Sequence, residues 1–261
     1  YLGNLARGDL GDSFFYRDSV VNVIMDVLPN TLYLTLTALF FAYIFGLLGG
    51  IFLAWKRGSG IETGGVTFTL MTRSAPEFWV GMILLSVFAF QLQWFPSSGA
   101  TSAGTIYTSE WDKLTSLDFW HHMALPAFTM ALYLHGLPLL LMRSNMLEIM
   151  QDDFITMGRL MGYTERRLMI RHAARNALLP VVTALALGIG YAIGGNVVVE
   201  NVFGWPGLGR LLVRSVSSSD YPLAQGALFF IAVIMIFMNF VADVLYTILD
   251  PRVGSSERAN A

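Results

Sequence analysis

Five apolar stretches alternate with polar ones along this chain. The first runs from about Leu28 to Trp55, with no charged residue between Asp26 and Lys56. The second covers about Phe78 to Phe95, reaching back toward Phe68 and tolerating Arg73 and Glu77 at one end. The third is about Trp120 to Met142, the fourth about Ala177 to Val199 and the fifth about Tyr221 to Ala242. A membrane helix needs about 20 apolar residues, so each stretch is a candidate span. The pattern predicts an all-α, polytopic transmembrane helix bundle with five membrane helices. Residues 1–27 form an external N-terminal segment, 28–250 the transmembrane domain and 251–261 a tail.

The polar stretch from Arg143 to Pro180 is too regular in pattern for a plain linker. Asp153 is placed to cap a short helix over Phe154 to Met161, and Gly162 to end it in the left-handed region that glycine adopts without strain. Thr164 then caps a second helix, with Glu165 in its first turn and Arg166, Arg167, Arg171 and Arg175 behind it, an order that suits the helix dipole. Pro180 is compatible with only the first turn of a helix, so the chain is expected to re-enter the membrane there.

Composition agrees with a membrane protein. Hydrophobic residues make up 55% and charged residues 13%, and the mean hydropathy is +0.58, whereas soluble domains carry about 25% charged residues. A net charge of −2 argues against a nucleic-acid partner. The absence of cysteine excludes disulfides, thiolate metal sites and cysteine nucleophiles. If the loops near 56–73 and 143–175 share a side with the C-terminus, that side holds eleven of the sixteen basic residues. The positive-inside rule makes it cytoplasmic and leaves residue 1 outside.

Three motifs carry a resemblance. The run D-F-I-T-M-G-R-L-M-G-Y-T-E-R-R-L-M-I-R-H-A-A-R-N-A-L-L-P resembles the cytoplasmic EAA loop of peptide-type ABC importer permeases, the oligopeptide, dipeptide and nickel group. Thr156, Met157 and Gly158 stand at the EAA positions and Gly162 at the family glycine. P-E-F-W-V-G-M followed by W-F-P-S-S-G at 76–99 is similar to that family's helix start and exit. V-E-N-V-F-G-W-P-G-L-G at 199–209 resembles the external hairpin before its last helix. R-G-D-L-G-D-S-F at 7–14 and the ending D-P-R-V fit the same family.

The resemblance implies a type I ABC importer permease: one half of a translocation pathway for peptides or similar small solutes. It implies a cytoplasmic coupling loop at 143–176, docking on ATPase subunits through Asp153, Phe154, Thr156, Met157, Gly158, Arg159, Gly162, Arg166 and Arg167. It implies an external hairpin at 200–220, in which Glu200, Phe203, Trp205, Pro206 and Gly207 gate the pathway or meet a substrate-binding protein. A second related permease and two ABC ATPases are the expected partners, in the cell (plasma or inner) membrane. ATP and Mg belong to the ATPases, and this chain is expected to bind no cofactor and to catalyse no reaction. One more N-terminal membrane helix is expected ahead of residue 1.

Other features have simpler readings. The glycines of K-R-G-S-G-I-E-T-G-G-V-T at 56–67 lack the G-x4-G-K-[ST] phosphate pattern, so a flexible turn is expected. His121, His122 and His135 are not spaced as a metal pair, and hydrogen-bonded or interfacial roles fit them better. Pro126, Pro138 and Gly136 are expected to kink the third helix. Gly188, Gly190, Gly194 and Gly195 favour close helix packing over a cavity-lining role for Tyr191 and Asn196. Asp243 is expected to pair with a loop arginine. The competing class is a self-sufficient secondary transporter or channel, whose hallmark would be buried acids or a broken helix at the membrane midplane; the centres of the apolar stretches are almost free of charge, which counts against ion coupling.

Overall fold

The computed structural model describes residues 9–193 and 197–249. The side chains of 186–187, 189–193, 242–243 and 245–249 lie outside that description. Extended pairing among the described residues is confined to a bridge between Asp12 and Ser19. The rest is helix and connecting turn: α1 (Val20–Trp55), α2 (Gly60–Ser74), α3 (Glu77–Leu84), α4 (Glu110–Thr115), α5 (Leu117–Leu134) and α6 (Gly136–Ile149). Then follow α7 (Asp153–Leu160), α8 (Glu165–Arg167), α9 (Ala174–Ile193), α10 (Val197–Val202), α11 (Leu208–Ser217) and α12 (Tyr221–Leu249). A π-helical turn, Leu85–Gln91, prolongs α3, and another, Leu168–Ala173, joins α8 to α9.

Several helices differ in extent from the apolar stretches that predict them. α1 starts well before Leu28 and contains Asp26 and Pro29. Asp18 explains the start: its Oδ1 accepts the Ser19 backbone amide at 2.6 Å, a donor the helix entrance leaves free, and the Asn22 side-chain amide at 3.0 Å. The 56–67 segment is only in part a turn. Ser59 caps α2, its Oγ accepting the Glu62 amide at 3.3 Å, so the helix already runs from Gly60. The third span breaks at His135, with Pro138 in the first turn of α6, where its missing N–H costs no bond. Pro180 does not stand in the first turn of a helix; it lies inside α9, as membrane helices tolerate.

α1 and Tyr221–Val241 are each long and apolar enough to cross a membrane, and α2 with Glu77–Gln91 and α5 with α6 qualify as bent pairs. The fourth expected span coincides with α9 and continues into residues outside the description.

The chain forms two compact units. One comprises Tyr1–Ala38, Pro76–Met130 and Tyr191–Ile236. Its main core holds Leu34, Phe119, Met123, Met130, Phe203 and Trp205, with the Phe119 and Trp205 rings 5.6 Å apart. A second cluster in that unit joins Val20 and Ile24 of α1 to Leu208, Leu211, Leu223 and Ala227. The other unit comprises Leu39–Ala75, Ala131–Gly190 and Phe237–Ala261. There the C-terminal half of α1 meets α6 across glycines. A Cβ on Gly46 would lie 2.7 Å from Pro138 Cγ, and one on Gly50 would lie 2.6 Å from the Leu139 carbonyl oxygen. Small residues allow such backbone approach where no hydrophobic effect drives helices together.

Candidate functional site

The loop between α6 and α9 folds as a unit. Its first helix is one residue offset from the reading of the sequence: Asp152 is the N-cap, Asp153 opens α7 and Met161 closes it. Gly162 follows with φ +81°, the left-handed conformation that stops the helix. Thr164 caps α8 as its position suggests, accepting the Arg167 amide at 3.4 Å.

α7 has two faces. Ile155 is fully buried and Gly158 is buried. A Cβ on Gly158 would lie 2.6 Å from Leu168 Cδ2, so the glycine lets α7 lie directly against the helix that follows. On the other side Phe154, Met157, Leu160 and Met161 are exposed, Leu160 by 80%. A cleft of about 350 Å³ beside this face is lined by Asp153, Phe154, Met157, Met161, Tyr163 and His172, among others. Exposed apolar side chains grouped on one short helix outside the apolar stretches form a contact surface rather than a core.

The arginines of the loop fall into distinct environments. Arg159 Nε donates to Glu165 Oε1 at 2.7 Å and a terminal nitrogen donates to Oε2 at 3.3 Å, and the hydrogen bond from Arg159 holds the Glu165 carboxyl below its ordinary range. Arg167 lies over the Tyr163 ring at 4.3 Å, and Tyr163 in turn stacks on His172 with ring centroids 5.8 Å apart. These contacts tie α7 to α8, keeping the exposed face in a fixed orientation. Arg166 is exposed. Thr156 is also exposed, beside Met157.

The hairpin residues occupy the other unit. Glu200 on α10 is 1% exposed and Trp205 is fully buried. Thr31 on α1 donates its hydroxyl to Glu200 Oε1 at 2.7 Å and accepts the Leu208 amide at 2.8 Å. The Arg210 amide donates to Glu200 Oε2 at 3.0 Å. Burial pushes the Glu200 carboxyl above its ordinary range, against the opposing pull of the Thr31 hydroxyl and the Arg210 and Gly209 amides. The Trp205 indole donates to the Asn30 carbonyl at 3.0 Å, and the Asn30 side-chain amide donates to the Pro206 carbonyl at 2.8 Å. Any side chain on Gly207 would run into the Glu200 carboxylate. Phe203 is buried, and its carbonyl accepts the Gly99 amide at 3.2 Å. The sequence motif thus builds a closed turn between two short helices, fastened to α1.

Sequence reading missed Thr31 and Asn30, polar residues inside an apolar stretch, whose polarity was the available signal. It also missed an ion pair in the first of the expected cytoplasmic loops. Glu62 accepts the Arg143 Nε at 2.8 Å, a second Arg143 nitrogen, and the Gly58 amide at 2.6 Å. S-G-I-E at 59–62 has the spacing of a capping box, which marks the start of α2 but not the partner of Glu62.

The histidines engage backbone carbonyls: His121 with Trp94 at 2.8 Å, His122 with Asp118 at 2.9 Å and His135 with Leu132 at 2.6 Å. Tyr191, Asn196 and Asp243 lie outside the described side chains.

An all-α fold with candidate spans, a folded loop between them and a fastened hairpin is the architecture of a polytopic membrane protein. The chain belongs to the family described as "Binding-protein-dependent transport system inner membrane component", which matches residues 46–255. It is 38% identical to the Pseudomonas aeruginosa di/tripeptide transport system permease protein DppB, over 97% of this chain and 79% of that protein. It is 40% identical to the Bacillus subtilis oligopeptide transport system permease protein AppB, over 97% of this chain and 78% of that one. An Escherichia coli glutathione transport system permease protein, GsiC, is 35% identical, over 97% and 77%. Among solved structures the fold is similar to an inward-facing MetNI methionine ABC transporter, with a TM-score of 0.68 and 15% identity, covering 87% of this chain and 96% of that one. The chain is therefore a membrane permease subunit of an ABC importer.

Proposed function

We propose that this permease carries peptides or closely related small solutes, and that α7 is the element through which separate ATPase subunits drive it. The observation that supports the coupling role is the exposed apolar face of Phe154, Met157, Leu160 and Met161, held on a helix keyed by Gly158 to Leu168. ATP binding closes the ATPase pair, α7 moves with the groove that receives it, and the spans turn from inward- to outward-facing. ATP and Mg stay on the ATPases. The working assembly has a second related permease, two ATPases and an external binding protein, with the C-terminus cytoplasmic. Peptide as the cargo follows from the relatives, whose names specify di/tripeptide, oligopeptide and glutathione transport.

Purification of the full-length chain from its own membrane tests the coupling role. The expected result is recovery of a second permease and ATPase subunits, with the ATPases lost when Met157 and Leu160 are both replaced by Asp. Recovery of the chain without any ATPase would favour a self-sufficient secondary transporter, and retention of ATPases unaffected by the two aspartates would reject α7 as their contact.

A further inference from the structure

Between α7 and the spans, the chain passes through α6, separated from α7 by only Met150 to Asp152. A displacement of α7 therefore reaches the C-terminal end of α6 through this short link, as it reaches α8 and Leu168 on the other side. Within α6 the Asn145 side-chain amide donates to the Ala177 carbonyl of α9 at 3.3 Å, and Arg143, midway along the helix, makes the ionic contact. Arg143 presents two guanidinium nitrogens to Glu62 Oε1, one of them Nε at 2.8 Å. The other carboxylate oxygen accepts the Gly58 amide at 2.6 Å. Glu62 is 7% exposed, and its backbone sits in the first turn of α2, beneath the Ser59 cap. One carboxylate thus joins α6, the α1–α2 turn and the start of α2.

The apolar contacts around this point set how closely the elements approach. A Cβ on Gly50 of α1 would lie 2.7 Å from Met142 Cβ and 3.1 Å from the Arg143 amide nitrogen of α6. A Cβ on Gly65 of α2 would lie 2.6 Å from Leu53 Cδ2 of α1. These small-residue contacts carry no directional bond. The Arg143–Glu62 contact is directional, with two guanidinium nitrogens converging on one carboxylate oxygen, and a charge-assisted hydrogen bond is about twice as strong as a neutral one.

We infer that the Glu62–Arg143 pair is a transmission clasp, the contact through which displacement of α7 and α6 is passed to α2. Glu62 and Arg143 are positioning residues: they touch neither cargo nor nucleotide. This inference rests on the coupling role proposed for α7.

The test uses the complete transporter with its co-purified ATPases in lipid nanodiscs. The chain has no native cysteine, so Ile61→Cys on α2 and Glu148→Cys on α6, both exposed and outside the face proposed to meet the ATPases, can carry a pair of spin labels. Their separation is measured by pulsed electron resonance without nucleotide and with ATP and vanadate. In the parent the two labels should move together, giving one narrow distance distribution that is the same in both states. With Glu62→Gln or Arg143→Gln the ATPases should remain bound, but ATP and vanadate should shift or split the distribution. Glu62→Gln with Arg143→Gln should be no worse than either alone, because both remove one contact. Arg143→Lys, which keeps the charge but not the two converging nitrogens, should give a smaller shift and serves if a glutamine variant does not assemble. Variants indistinguishable from the parent, or effects of the two glutamines that add, would overturn the clasp. Absence of ATPases from the parent complex would instead overturn the coupling role of α7.

Discussion

Gly158 lies so close to Leu168 that a Cβ in its place would sit 2.6 Å from the Leu168 Cδ2 methyl. Two effects of replacing it oppose each other. Alanine in a helix interior is favoured over glycine by about 1 kcal/mol, while forcing a methyl into a packed contact costs about 1–3 kcal/mol. Leu168 is 1% exposed and has little room to yield, so the steric cost should win. Gly158→Ala should reduce the ATPase recovered with the permease, and Gly158→Val should reduce it further. Recovery improved by alanine would show that helix propensity, not contact, governs the position.

The hairpin predicts a different kind of loss. Thr31→Val keeps the shape of the side chain but leaves the Leu208 amide and one Glu200 oxygen without their partner. An unsatisfied buried polar group costs about 1–3 kcal/mol. The purified complex should therefore melt at lower temperature, whereas Thr31→Ser, which keeps the hydroxyl, should lose much less. Gly207→Ala should be at least as damaging as Thr31→Val, because its methyl meets the Glu200 carboxylate.

A pair of neighbouring glycines on α1 should respond unequally. At Gly50 a methyl meets the Leu139 carbonyl oxygen at 2.6 Å, a backbone atom that can move only with α6. At Gly49 it meets the end of the Leu139 side chain at 2.9 Å, which can rotate away. Gly50→Ala should sharply reduce the yield of folded permease in the membrane, and Gly49→Ala should reduce it little. Equal yields would mean that α1 and α6 are free to separate.

The N-terminal segment should loosen in acid. Burial would raise the Asp220 carboxyl, but the Ser13 hydroxyl at 2.6 Å and the amides of Phe15 and Leu223 outweigh it and hold the group below its ordinary value. A carboxyl with a depressed folded value stabilises fully above the unfolded value of about 3.9 and loses that contribution as pH falls through the folded one. Hydrogen-exchange protection of the Phe15 amide, its exchange rate taken relative to the intrinsic rate at each pH, should therefore fall below about pH 4. Asp220→Asn should be less protected already at neutral pH and respond less to acid. Parent protection that is unchanged across this range would show that the carboxylate does not hold the segment.

The positions of the spans, the two-helix loop and the hairpin turn were legible because each rests on local chemistry. Apolar length marks a span, and Gly162 and Thr164 sit where a helix must stop and another start. Boundaries slipped where a polar residue overrode hydropathy: Asp18 starts α1 early, Ser59 starts α2 inside an expected turn, and Pro180 is carried through a helix. A single sequence assigns the hairpin motif to a turn, yet Glu200 and Trp205 turn out to be buried anchors, since burial depends on what packs against them.

The sequence alone determined that this is an all-helical membrane protein, the order of its helices and the place of its loop, because periodicity, apolar length and capping are properties of neighbours in the chain. Only the tertiary structure decided that Gly158 meets Leu168, that Thr31 serves both Glu200 and Leu208, and that Arg143 closes on Glu62. The partners in the last two contacts stand far apart in sequence, and no local pattern records which distant residue will satisfy a buried polar group.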